Sequence, residues 1–327
     1  MMPQSTRRTV LVAGAITIFG RGTARAQERR RTFRVGLFTS VPRQAPNWLA
    51  FFDELSKAGI VEGENLTVDW RIWDARPDQF ATLVAELVQS APDVLLPAGS
   101  SEGLKAAQAA TRTIPILGIA DDMVASGLVP SLAHPGGNLT GISILATELD
   151  GKRQEILIEM VHASRHIAAL ADPGVTAATH LDELRSAAAR RGVELSIYPV
   201  RGPEEIAAAI DQAQADGAMA LNVLASVFLY INRKIILDRT AALHLPAIYQ
   251  WPETAEEGGL AAYGPRYVTL YRQLARQLVK LLHGAKPADI PVEQPDRFEL
   301  VINLNTAKAM GLTIPEEMLD RADKVIE

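Results

Sequence analysis

The sequence predicts an α/β protein of two lobes, each a parallel sheet wound with helices. Short apolar runs alternate with helix-patterned segments through most of the chain, as strands joined by crossover helices require. The alternation pauses near residues 141–150 and then restarts, so one wound sheet is followed by a second of similar size. With 327 residues the chain is long enough for two ordinary domains.

Residues 33–38 (FRVGLF) read as the first strand. Residues 48–58 follow as an amphipathic helix ended by Gly59, the residue type that most often closes a helix. Residues 65–70 form a second strand, and 77–90 a helix opened by Pro77, whose fixed φ suits a first turn. Then come a strand at 93–96, a helix at 102–110 and a strand at 114–119. A turn-rich loop, His134-Pro135-Gly136-Gly137-Asn138, precedes an extended segment at 139–143.

The second series begins with a helix at 152–161, a strand at 167–171, a helix at 181–191 and a strand at 195–200. A helix at 203–213 starts with Pro203, Glu204 and Glu205, acids placed where the helix dipole is positive. A strand at 218–224, a helix at 230–244 and strands at 247–249 and 260–263 follow. Tyr267, Leu270, Leu274, Leu278 and Leu281 then line one face of a strong amphipathic helix, a core face by its spacing. A strand at 298–304 ends the series. The expected lobes are 33–143 with 262–290, and 144–261 with 291–327, after a solvated tail at 27–32.

Residues 1–26 have the three parts of an export signal. Arg7 and Arg8 precede an uncharged apolar run at 9–19, and Ala24-Arg25-Ala26 supplies a small-x-small site with cleavage expected before Gln27. The run is too short to span a bilayer. Thr6-Arg7-Arg8-Thr9-Val10-Leu11 also resembles a twin-arginine signal without its usual Phe, so both that route and the general secretory one stay open. Removing 1–26 takes away four Arg and no acid. The formal charge of −5 becomes −9, with 29 basic against 38 acidic residues. Such a chain is poorly suited to nucleic acid or an anionic membrane. It has no Cys, which excludes disulfides, thiolate chemistry and a lipid-anchoring cysteine.

One segment carries a family likeness. Residues 126–141 (SGLVPSLAHPGGNLTG) resemble a signature of periplasmic substrate-binding proteins of ABC transporters, a family with tryptophan-binding members. The likeness continues through Gly151-Lys152-Arg153, residues 245–249 (LPAIY), Gly258-Gly259-Leu260 and Tyr263-Gly264-Pro265. It ends with residues 284–295 (GAKPADIPVEQP) and 298–315 (FELVINLNTAKAMGLTIP). It implies a type I periplasmic binding fold, with two Rossmann-like lobes, three crossovers and a ligand cleft between the lobes. It also implies an inner-membrane ABC permease with its ATPase as partner, a monomer, no cofactor and no enzyme activity. Family members commonly carry Asp-Pro-Val after the fourth strand, where this chain has Asp121-Asp122-Met123-Val124. A relative's ligand therefore need not transfer.

In wound sheets a ligand binds beyond the carboxyl ends of the strands, where helix N-termini present free N–H groups. In the first lobe this selects Thr39 and Ser40, then Gly99, Ser100 and Ser101, then Ala120, Asp121 and Asp122. In the second it selects Asp172, Ala225, Ser226, Tyr249, Gln250 and Trp251. Ser100 and Ser101 suit a carboxylate, the plainer reading being a helix cap. Asp121 or Asp122 suits an ammonium, against a solvated turn. Tyr249 and Trp251 suit a flat apolar wall, against inter-lobe packing. Glu253 suits a ligand cation, and the loop at 135–137 a hinge. An amino acid or small carboxylate is the expected solute class.

Two other functions fit less of the sequence. A solute-sensing subunit of a membrane receptor would use the same closure. Gly99-Ser100-Ser101-Glu102-Gly103 also matches G-x-S-x-G between a strand and a helix, the setting of a hydrolase nucleophile at Ser101. Its base would have to be His244 or His283, and no glycine-rich oxyanion segment precedes it. His162 and His166 have i, i+4 spacing without further metal ligands, so no metal is expected.

Overall fold

Inner strands such as those at 94–97 and 116–120 are apolar at both odd and even positions, and the computed structural model shows why. It describes residues 31–73, 79–162 and 164–327. The expected signal at 1–26 and the start of the helix expected at 77–90 lie outside these. Residues 32–327 form one compact unit, in which two sheets are each covered by helices on both faces.

The first lobe runs β1 (Phe33–Thr39), α1 (Pro46–Lys57), β2 (Leu66–Ile72), α2 (Phe80–Gln89), β3 (Val94–Pro97), α3 (Ser101–Ala110), β4 (Ile116–Ala120) and β5 (Leu139–Ser143). Its sheet has the order β2-β1-β3-β4-β5, all parallel. Side chains alternate between two cores, the period-2 signature of a strand. Val35, Leu37, Leu96 and Leu117 face one core, and Phe38, Leu95 and Ile116 the other. Gly141 in β5 lies so close to β4 that a Cβ there would collide with the Gly118 carbonyl.

The second lobe runs α4 (Asp150–Met160), β6 (His166–Ala171), α5 (Ala178–Arg190), β7 (Glu194–Pro199), α6 (Pro203–Ala215), β8 (Leu221–Val223), α7 (Val227–Ile231), α8 (Arg233–Ala242), β9 (Ala247–Tyr249), α9 (Pro252–Glu256) and β10 (Ala261–Gly264). The chain then returns to the first lobe as α10 (Tyr267–Leu282) before adding β11 (Glu299–Asn303), α11 (Leu304–Ala309), α12 (Glu316–Asp320) and β12 (Lys324–Ile326) to the second. The seven-stranded order is β12-β11-β10-β9-β8-β6-β7. The sheet is mostly parallel, as expected, and the β10–β11 pair within it is antiparallel. β11 enters directly from a crossover, with no helix to reverse its direction.

The helix expected at 230–244 is two helices that meet at Asn232, whose amide donates to the Phe228 carbonyl at 2.9 Å. The expected lobe boundaries also move. A boundary at 261/262 would cut β10, which pairs with β9 and β11, so the chain leaves this sheet after Gly264. A boundary at 290/291 would cut a segment held in the first lobe. There Val292 N–H donates to Leu132 O at 2.8 Å, and Glu293 N–H to Gly141 O at 2.9 Å.

The face predicted for α10 is buried. Leu270, Leu274, Leu278 and Leu281 enter the first lobe's core beside Trp48, Phe51 and Leu55 of α1. Burying each such side chain contributes roughly 1.5–3 kcal/mol. An aromatic chain continues from this core into the second lobe. Ring centroids are 4.8 Å apart for Trp48–Tyr271, 5.0 Å for Tyr271–Tyr267 and 4.5 Å for Tyr267–Trp251.

Candidate functional site

The loop after β3 forms one wall of the site. Gly99 has φ +94°, a conformation glycine adopts without strain. Ser100 is the N-cap of α3, and its Oγ accepts the Gly103 N–H at 3.2 Å. Ser101 opens the ten-residue helix, half-buried. Free N–H groups and the helix dipole favour an anion here. The Ser40 hydroxyl after β1 and the Trp73 indole N–H after β2 are buried without a protein hydrogen-bond partner. Thr39 is buried and shapes its own turn, accepting the Val41 N–H at 3.1 Å. Ala120 is buried and offers its carbonyl to Ile144 N–H at 2.9 Å.

The two acids expected to face a ligand ammonium are already engaged. Asp121 Oδ1 accepts the N–H groups of Ala146 and Thr147, and its Oδ2 accepts the Thr147 hydroxyl at 2.5 Å. It therefore fastens the first crossover. Asp122 Oδ1 accepts Val124 and Ala125 N–H, each at 2.9 Å, which caps its own turn.

Facing α3 is the loop after β8. Ser226 caps α7, accepting Leu229 N–H at 3.3 Å, and donates to Asp172 Oδ2 at 2.7 Å. Asp172 Oδ1 accepts Gly174 N–H at 2.9 Å. A Cβ on Gly99 would stand 3.9 Å from Val227 Cγ1, so the two loops are in near contact. Behind them a cavity of about 20 Å³ is lined by Ser226, Tyr230, Arg233, Gln250, Trp251 and Thr254, among others. That holds about one water molecule.

The aromatic pair divides its duties. Tyr249 is buried in the second lobe's core, its hydroxyl 3.1 Å from Thr240 Oγ1. Trp251 packs against Tyr230 and Tyr267, so it joins the lobes. Glu253 is held by Val268 N–H at 3.4 Å, and its other oxygen is buried without a hydrogen-bond partner. Burial pushes its carboxyl above the usual range. Arg233, not anticipated from sequence, holds Glu257 with two bonds and lies 4.4 Å from the Tyr230 ring centroid.

Sequence reasoning also missed a buried ionic hub. Asp150 and Arg153 are fully buried and hydrogen-bonded to each other. Arg153 Nη2 donates to Ala146 O at 2.9 Å and Nη1 to Tyr263 O at 3.2 Å, which ties two crossovers together. Asp150 also receives the Ala225 N–H at 2.9 Å and stands 3.1 Å from His180 Nε2. Its bond to Asp150 pushes the His180 pKa up, against burial. In sequence, an acid and a base three apart at a helix start read as an exposed pair. Only burial distinguishes this one.

The loop at 135–137 is not at a crossover. It precedes β5, and Asn138 ties it to Thr111 and Ile114 at the entry to β4. The crossover instead leaves the far end of β5, at Ser143. Ser101 makes no hydrogen bond to a histidine among the described residues. His283 sits 2.8 Å from Val279 O, and His244 lies two residues beyond the end of α8 with φ +50°. Among the described residues no group of three or more His, Cys, Asp or Glu could hold a metal.

Several known proteins share this architecture. A tyrosine-binding protein of Clostridioides difficile is 27% identical over 267 residues, 80% of this chain and 75% of that protein. A solved Vibrio cholerae conserved domain protein has a TM-score of 0.80 at 26% identity, covering 90% of this chain and 100% of that one. A Streptococcus pneumoniae ABC domain solved with L-Trp has a TM-score of 0.78 at 24% identity, with the same coverages. The family model for ABC transporter substrate binding proteins matches residues 43–326. With that match spanning nearly all of both lobes, the chain belongs to the ABC transporter substrate binding protein family.

Proposed function

We propose that the chain captures a free amino acid between its lobes and delivers it to an inner-membrane ABC permease. One observation carries the ligand class: the Ser100–Ser101 start of α3, an anion-favouring terminus, faces the loop at Ser226 across a near contact between Gly99 and Val227. The likeness to a tyrosine-binding protein supports the same class. Closure of the lobes on the solute presents a shape the permease recognises, and ATP hydrolysis belongs to that partner. No bond is made or broken by this chain. The leader at 1–26 directs the chain to the periplasm and is cut before Gln27, leaving a monomer. Among the described residues no helix is long and apolar enough to cross a membrane.

The test is a thermal-shift screen of the chain from Gln27 against the amino acids and small carboxylates. A ligand at about 100 times its Kd should stabilise the fold by roughly 2.7 kcal/mol. A concentration-dependent rise confined to amino acids supports the reading. A response to other solutes alone removes it.

A further inference from the structure

We infer that Asp172 binds the ligand's ammonium group and that Ser226 holds it in position, an assignment that rests on the amino-acid reading above. An amino acid carries opposite charges on adjacent groups, so its two binding sites must lie close together. The α3 start supplies the anion site on the first lobe. A counter-charge has to come from a carboxylate with acceptor capacity left over.

The acids near the strand ends differ sharply in this respect. Asp121 already accepts three donors and is committed to the first crossover. Asp150 is fully buried against Arg153, His180 and the Ala225 N–H. Glu253 is drawn towards its neutral form by burial, beside α10. Asp122 folds back on its own turn.

Asp172 stands apart. It follows β6 at the carboxyl end of the strand and is only half-buried. Each of its oxygens accepts one neutral donor, Gly174 N–H or Ser226 Oγ–H. A carboxylate has about four acceptor sites, so two remain. No Lys, Arg or His forms an ion pair with it among the described residues. Its partner Ser226 immediately precedes Val227, the residue in near contact with Gly99. The carboxylate is thus fixed on the lobe opposite the anion site, and a zwitterion held by both would bridge the lobes. A bound solute then favours the closed state by touching both walls, which is the differential affinity that closure needs.

The experiment is calorimetric titration of the chain from Gln27 with the tightest-binding amino acid of a full panel, its des-amino acid and its decarboxylated amine. Expected for the wild type is a large preference for the amino acid over the des-amino acid. Asp172→Asn should weaken the amino acid about 10–100-fold, the worth of a charge-assisted bond, and leave the des-amino acid within about threefold. Ser226→Ala should reduce the same preference, and Ser226→Thr should restore it. A loss of stability alone would affect both ligands alike. Equal wild-type affinity for amino acid and des-amino acid overturns the assignment, and so does a preference that survives Asp172→Asn but disappears in Asp122→Asn. Binding of no amino acid at all defeats the amino-acid reading and this assignment with it.

Discussion

Arg153 donates to the carbonyl of Tyr263, 3.2 Å away and 110 residues later in the chain. The same guanidinium reaches Ala146 O, so one buried cation joins the first crossover to the strand that feeds the second. Removing one member of such a pair leaves an unpaired buried charge, which costs about 3–5 kcal/mol. Arg153→Met should therefore lower the urea midpoint sharply. Asp150→Asn/Arg153→Met should recover part of that loss, and single-variant costs that simply add would show the two residues to be independent.

His180 gives the hub a pH dependence. The Asp150 carboxylate raises its pKa above the ordinary 6.5, with Glu183 and Asp121 acting in the same direction. A group whose folded pKa is raised contributes fully below its unfolded pKa and loses that contribution as pH rises through the folded value. The wild type should thus be most favoured over His180→Gln below about pH 6.5, with the gap closing as pH rises through the raised folded value. Thermal midpoints of both proteins across that range check it, and a gap that widens with pH would reverse the sign.

Glu253 titrates with the opposite benefit to the fold. Its folded pKa is raised by burial, so its carboxylate form costs stability at neutral pH. Glu253→Gln should raise the midpoint at pH 7, by up to the roughly 1–3 kcal/mol of an unpartnered buried polar group. At about pH 4 the gain should vanish.

Ser100 and Ser101 should separate capping from binding. Ser100 caps α3 through Gly103 N–H, so Ser100→Ala should cost about 1 kcal/mol of stability with or without ligand. Ser101 makes no such bond, and Ser101→Ala should leave the free protein's midpoint unchanged while weakening the ligand. Paired melts with and without ligand distinguish the two roles.

Trp251 should report closure. The other three tryptophans, Trp48, Trp70 and Trp73, lie in the first lobe, whereas Trp251 contacts Tyr230 and Tyr267 where the lobes join. Ligand should change the intrinsic emission of the wild type and of Trp70→Phe. Trp251→Phe should lose most of that change.

The strand-and-helix alternation was legible because strands buried on both faces are continuous apolar runs, as in 35–38 and 94–97. Ser100 was legible because a hydroxyl before a helix has a local meaning. Asp121 was not, since the N–H groups it accepts belong to residues 146 and 147, whose proximity no local pattern records. The break at Asn232 was hidden because no Gly or Pro marks it. β12 escaped notice for a related reason: three residues (KVI) become a strand only when β11 offers an edge.

The pairing of α10 with α1 sets an order of assembly. Residues 267–282 cover Trp48, Phe51 and Leu55, more than 200 positions earlier in the chain. Until that helix emerges, the first sheet has one apolar face only partly covered, by α1, however early its own strands appear. Contacts so distant in sequence slow folding. A chain halted before residue 267 would have the whole first sheet but leave part of its core exposed, so neither lobe should be obtainable as an independent fragment by cutting the chain at a single point.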